Sequence, residues 1–201
     1  MESKITDLKF RINKLVPSTA CEFFINFYEE NKDKSYSESS YKFKQEKVEK
    51  DNYKCINLSN LVKEDKKYVE PLEIAKKYIN IMITNYVIHI KKNICPTFNN
   101  YLINKSDNIR ILKYNKGQYI GDHSDINETT RASCTLNLNE NYSGGEFRFF
   151  DGKIKEIFKT GDAIIFPAEP IWIHGTEPIT KGTRYSINCF LHPHSYKEQH
   201  V

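Results

Sequence analysis

Cysteine is sparse and scattered in this chain. Cys21, Cys55, Cys95, Cys134 and Cys189 are odd in number and form no Cys-x-x-Cys. That excludes a disulfide framework and a structural zinc cluster as the basis of the fold. No apolar run approaches the ~20 residues needed to cross a bilayer, and Met1 to Asp7 lacks the apolar centre of a secretory signal. The expectation is an intracellular, reducing setting with no membrane partner. Internal repeats are missing too. So is a strong charge of one sign: 30 Lys and Arg against 26 Asp and Glu leave +4. That bias is too weak to establish a nucleic-acid partner.

What is present suits one domain with a real core. The chain has 201 residues, and 13 Tyr with 12 Phe supply much of its packing potential. A helix is expected to begin near Pro17-Ser18, where Thr19-Ala20-Cys21-Glu22 has capping-box spacing and Phe23, Phe24, Phe27 and Tyr28 form a stripe. Residues 32–51 are polar and serine-rich, and read as a mobile loop or irregular strand able to cover a site. A second helix is expected over 70–92, with Ile74, Tyr78, Ile81 and Met82 inward and His89 structural or exposed. The remainder reads as short strands, with a turn at 115–118 and a strong hairpin signal at Asp151-Gly152.

His123-Ser124-Asp125 stands among these strands. His174 follows 51 residues later beside the only Trp, Trp172, and Arg184 ten residues after that. Two His and one carboxylate on one face of a ferrous ion leave positions open for oxygen chemistry. On a strand, residues i and i+2 point to one side, so His123 and Asp125 can meet one metal while His174 arrives from a distant strand. Taken singly, each has a duller reading: a His that donates to a carboxylate, a half-buried surface His, a surface ion pair. From 184 to 189 the residues alternate, placing Arg184, Ser186 and Asn188 on one face and Tyr185, Ile187 and Cys189 on the other. His192-Pro193-His194 imitates a metal pair but reads as a solvated end.

Five segments carry a family resemblance: Leu112 to Gln118, Ser143-Gly144-Gly145-Glu146-Phe147, Lys159 to Phe166, the His123-x-Asp125 pair, and His174-Gly175 through Lys181-Gly182-Thr183-Arg184. Together they resemble the catalytic domain of 2-oxoglutarate- and iron-dependent dioxygenases, most closely the prolyl 4-hydroxylase-like branch, over 109–192. Two departures stand out. Lys116 replaces the branch's usual Pro, and Arg184 stands where collagen-type enzymes place Lys, as in oxygen-sensing relatives.

The resemblance implies a mainly β protein with supporting N-terminal helices, built as a double-stranded β-helix (jelly roll). Residues 1–201 then form a single domain: about 1–100 a helical support region, about 101–192 the catalytic core, and 193–201 a tail. It implies Fe(II) on His123, Asp125 and His174, with 2-oxoglutarate and O2 as cosubstrates and ascorbate as a candidate reductant. Arg184 would anchor the far carboxylate of 2-oxoglutarate through a planar, permanently charged fork. Tyr114 by analogy, and Ser186 and Asn188 by alternation, would complete the pocket; a core aromatic is an equally good reading of Tyr114. The carboxylate at 125 favours hydroxylation over halogenation. A protein or peptide substrate, most readily a prolyl residue, ranks first. An AlkB-like nucleic-acid demethylase ranks second, because the strand 120–125 resembles that group's but its second, distant Arg is missing. A non-catalytic binding module on the same barrel ranks last.

Overall fold

From Ala132 to Asn137 every side chain is buried, yet apolar and polar types alternate. A strand with both faces covered normally reads as continuously apolar, so one of its faces must meet something polar. The computed structural model, which describes residues 4–38 and 53–193, shows what that is. Its strands are β1 (Phe10–Ile12), β2 (Tyr36–Ser37), β3 (Lys54–Asn57), β4 (Lys105–Tyr114), β5 (Ala132–Asn137), β6 (Ser143–Gly144), β7 (Phe147–Phe149), β8 (Ile154–Glu156), β9 (Ala163–Pro167), β10 (His174–Thr176), β11 (Ile179–Lys181) and β12 (Arg184–His192). Its α-helices are α1 (Ser18–Glu30), α2 (Leu58–Glu64) and α3 (Val69–Asn93).

Among the described residues a seven-stranded sheet runs in the order β1-β9-β5-β12-β4-β3-β2, and its pairs are antiparallel. Two smaller sheets, β10-β7-β8 and β11-β6, complete the jelly roll. The three helices cover one face of the large sheet. Phe24 and Tyr28 of α1, Leu58 of α2, and Ile79 and Met82 of α3 pack there with Ile109, Ile111, Cys134, Leu136, Ile165, Ile187 and Cys189. The alternate residues of the same strands face the smaller sheets. They divide into an aromatic cluster around Trp172 and a cavity. The two-residue period of a strand thus separates a dry core from a polar chamber within one sheet.

Several expectations need correction. The first hundred residues do more than brace the barrel, because β1, β2 and β3 extend its main sheet at both edges. The helix at 18 has Pro17 at its N-cap and no side-chain cap bond. Thr19 therefore lies inside the first turn, and Pro17's fixed φ starts the helix without a capping box. On α3, Ile81 is 38% exposed, whereas Ala75, Ile79, Met82, Ile83, Tyr86 and Ile90 are buried. Of the expected residues, Met82 is buried and Ile74 and Tyr78 pack partly buried against the core, so Ile81 alone is misplaced. His192 is buried rather than solvated: β12 carries it inward, and its Nε2 lies 2.7 Å from Asp107 Oδ1. His89 is structural, stacked on Phe10 with its Nε2 on the Asp7 carbonyl. Of the segment 32–51, residues 39–51 and hence any cover they form lie outside the described residues. No helix among the described residues is long and apolar enough to cross a membrane.

Candidate active site

His123 and His174 meet through their backbones before their rings are considered. They form an isolated antiparallel bridge in which each N–H donates to the other's carbonyl at 2.9 Å. The segment carrying His123 and Asp125 is therefore not the regular strand that the His-x-Asp spacing suggests; beyond the bridge it is irregular. Close approach of the two segments depends on Gly175. A Cβ there would lie 2.8 Å from Asp122 Oδ1 and 2.9 Å from the Ile120 carbonyl. Arg148 of β7 straps the same region, holding Asp122 at 2.8 Å and Glu177 at 3.2 Å.

Each imidazole is then oriented by its own chain. Nδ1 of His123 is 2.8 Å from the Gly121 carbonyl, and Nδ1 of His174 is 2.9 Å from the Trp172 carbonyl. A carbonyl only accepts, so Nδ1 carries the proton in both rings and Nε2 turns inward. Phe147 stacks parallel to His174 at 5.5 Å, and Phe166 meets it edge-on at 4.7 Å. Trp172 packs behind them, against Phe166.

Asp125 closes the trio, with Oδ1 3.1 Å from His123 Nε2 and Oδ2 3.2 Å from His174 Nε2. The three ligand atoms lie within 4.8 Å of one another. Ser133 of β5 donates to Asp125 Oδ2. Burial acts to raise the Asp125 pKa, but the two histidines outweigh it and hold the carboxylate well below its usual range. Burial also disfavours a charged His123, yet its hydrogen bond to Asp125 and that group's charge raise its pKa overall. With both rings neutral, three lone-pair atoms converge with no donor between them. A proton on His123 relieves that arrangement, and so does a cation. The donor set is of the nitrogen-and-carboxylate kind that suits iron.

The trio forms part of the wall of a cavity of about 290 Å³. Arg184 lines it too and is 1% exposed. Its Nε reaches Asn137 Oδ1 at 3.3 Å, and its guanidinium lies 5.5 Å from the Tyr114 ring centre. No carboxylate stands within ion-pair distance of it among the described residues. A buried cation without a counter-ion costs several kcal/mol, a cost that an anion entering the cavity would offset. Tyr114 pairs with Arg184 across β4 and β12. Burial pushes its phenol up to about 12 against the opposing influence of Arg184 and Arg110, so it remains a donor at neutral pH. Ser186 and Asn188 line the same cavity.

Sequence reasoning missed Ser133, Thr135 and Asn137, which share the cavity face of β5, and the pair formed by Arg110 and Glu38. The alternation through 132–137 was the available signal for the first three. Nothing local marks the pair: Arg110 sits within an apolar strand, and Glu38 lies in a polar segment.

Comparison with known proteins follows from this geometry. Residues 109–192 match the family described as the 2OG-Fe(II) oxygenase superfamily. No curated protein matches the chain significantly. Among solved structures, a prolyl hydroxylase from Trichoplax adhaerens, in complex with a hypoxia inducible factor oxygen degradation domain peptide fragment, superposes with TM-score 0.67 at 15% identity, covering 94% of this chain and 84% of that one. A Pseudomonas putida prolyl-4-hydroxylase gives 0.63 at 14%, covering 94% and 96%. The viral collagen prolyl hydroxylase of Paramecium Bursaria Chlorella virus-1, as its 2OG complex, gives 0.56 at 16%, covering 92% and 96%. At these identities the likeness is one of fold.

Proposed function

We propose that the chain, whose residues 109–192 match the 2OG-Fe(II) oxygenase superfamily, is an iron- and 2-oxoglutarate-dependent hydroxylase acting on peptidyl proline. The observation that carries this reading is one cavity walled both by His123, Asp125 and His174 and by a buried Arg184 that has no counter-ion among the described residues. Residues 1–100 and 101–192 would work as a single unit, a reading supported by the N-terminal strands in the main sheet.

His123 and His174 would hold Fe(II) through Nε2 and Asp125 through its carboxylate. When bound, ferrous iron with 2-oxoglutarate and O2 supplies oxidative decarboxylation, giving succinate and carbon dioxide, and delivers one oxygen atom to a C–H bond of the substrate. The protein supplies position, charge and exclusion of water. Gly121 and Trp172 hold the two Nδ1 protons away from the metal face. Ser133 donates to one carboxylate oxygen and so fixes the rotation of Asp125. Arg184 would pair with the far carboxylate of 2-oxoglutarate in a site where Coulomb attraction is little screened. Tyr114 would donate to the same end, with Ser186 and Asn188 along the wall between. Phe147 and Phe166 keep the His174 side dry. Ascorbate enters this reading only as a reductant that keeps the metal ferrous.

A peptide substrate is preferred to nucleic acid because solved structures similar to this one include a prolyl hydroxylase in complex with a peptide fragment. The test is to incubate the protein with Fe(II), 2-oxoglutarate and proline-containing peptides or methylated oligonucleotides, following succinate and substrate mass. The reading expects iron-dependent succinate and a peptide heavier by one oxygen atom. Succinate release stimulated by oligonucleotide alone would transfer the assignment to the demethylase.

A further inference from the structure

The cavity holds a second buried guanidinium, and it differs from Arg184 in one respect. Arg110 of β4 is 6% exposed, and its charge is already matched. Its Nη1 donates to both oxygens of Glu38, at 2.6 and 2.5 Å, and its Nε donates to Asn188 Oδ1 at 3.1 Å. Its Cζ lies over the Phe190 ring, 5.1 Å from the ring centre. Glu38 in turn accepts from Tyr53 Oη at 2.9 Å and Tyr36 Oη at 3.4 Å, so its lone pairs are taken. The hydrogen bonds of Arg110 to the described residues come from Nε and Nη1, which leaves Nη2 as a donor on a side chain that lines the cavity.

Position separates the two guanidiniums. Arg110 pairs in register with Asn188, four positions along β12 from Arg184, which is about 13 Å at strand spacing. Ser133, the partner of Asp125, pairs with Phe190 on that same strand. Arg110 and Phe190 therefore start from the metal-binding end of the shared cavity, four strand positions from Arg184. Charge separates them as well. An anion entering beside Arg110 meets the Glu38 carboxylate and gains little net attraction, whereas Arg184 offers an anion an uncompensated cation. A neutral oxygen acceptor still gains a directional, charge-assisted hydrogen bond from Nη2.

We propose that Arg110, neutralised by Glu38 and propped by Phe190 and Asn188, is a specificity-determining residue that reads an uncharged oxygen of the substrate, such as a main-chain carbonyl beside the hydroxylated residue, and disfavours phosphate or carboxylate there. This rests on the peptide hydroxylase reading and deepens it.

The test uses the full chain with Fe(II) and 2-oxoglutarate, and two sets of end-blocked proline-containing peptides: neutral around the proline, or carrying a glutamate next to it. A methylated oligonucleotide is the third probe, and added oxygen is read by mass spectrometry. The double variant Arg110→Met with Glu38→Gln removes the donor without stranding a carboxylate. It should raise the neutral peptide's KM about 10- to 100-fold, the worth of one charge-assisted hydrogen bond, and by more than it raises the KM for 2-oxoglutarate. The single variant Glu38→Gln uncovers the charge on Arg110, so the kcat/KM ratio of acidic over neutral peptide should rise several-fold, a gain that misfolding cannot produce. Should the wild type hydroxylate peptide while the double variant keeps its neutral-peptide KM, or Glu38→Gln leave the acidic preference unmoved, the proposal falls and the peptide reading stands. Turnover of the oligonucleotide alone, or of neither probe, removes both.

Discussion

Single side chains decide most of the chemistry, and two of them separate stability from function. Arg184 is a buried cation without a carboxylate partner among the described residues, so its cost is borne by the ligand-free protein. Arg184→Met keeps the aliphatic stem and removes the charge. Its ligand-free melting temperature should equal or exceed wild type, while the KM for 2-oxoglutarate rises about 10- to 100-fold. A thermal melt with and without 2-oxoglutarate checks both halves: the wild type gains stability by mass action and the variant does not. Ser133 acts one bond further out, through Asp125. Outer partners of metal ligands are typically worth about 10- to 100-fold in affinity. Titration of Ser133→Ala with Fe(II) under anaerobic conditions should show a loss of that size, and unchanged affinity would mean that Asp125 is oriented by the histidines alone.

Among the elements, the joints matter more than the strands. The bridge between His123 and His174 closes because residue 175 has no side chain. Gly175→Ala would drive a Cβ into Asp122 and the Ile120 carbonyl, and backbone cannot retreat as a flexible side chain would. The expected result is a destabilisation of ~1–3 kcal/mol together with weakened metal binding, measured by denaturant unfolding and metal titration on the same samples. Another joint ties α1 to the main sheet. Glu29 accepts from Lys113 at 2.7 Å and from the Tyr185 hydroxyl. Its partial burial acts to raise the carboxyl pKa, but those two partners lower it overall. A folded pKa below the unfolded one gives stability that is complete above the ordinary carboxylate value of ~4.3 and is lost as pH falls through the depressed one. Glu29→Gln should therefore lower the melting temperature at neutral pH and make it decline less on acidification. Parallel curves for the two proteins would remove Glu29 from the account.

At the scale of the whole molecule, the double-stranded β-helix was legible because its long strands alternate cleanly. Arg184, Ser186 and Asn188 could be assigned one face from the letters alone, and the hairpin at Asp151-Gly152 connects β7 to β8 as its turn residues suggest. Strands β1 to β3 were not legible, since two to four residues are too few to show a period, and their pairing is with partners far along the chain. Ile81 was misplaced for a related reason: on an α3 with apolar residues on several sides, tertiary packing picks the buried stripe. The irregular path of 121–125 and the burial of His192 likewise depend on distant segments. The Arg110–Glu38 pair joins residues 72 positions apart, and no local pattern encodes such a meeting.

The claim beneath all of this is that side chains from two remote segments make one metal site. Anaerobic titration calorimetry of the full chain with Fe(II), repeated on Asp125→Ala and His174→Ala, addresses it without requiring a substrate. The account predicts one ion bound per wild-type chain and loss of that binding in each variant. Wild-type protein that takes up no ion, or variants that bind as well as it does, would contradict it.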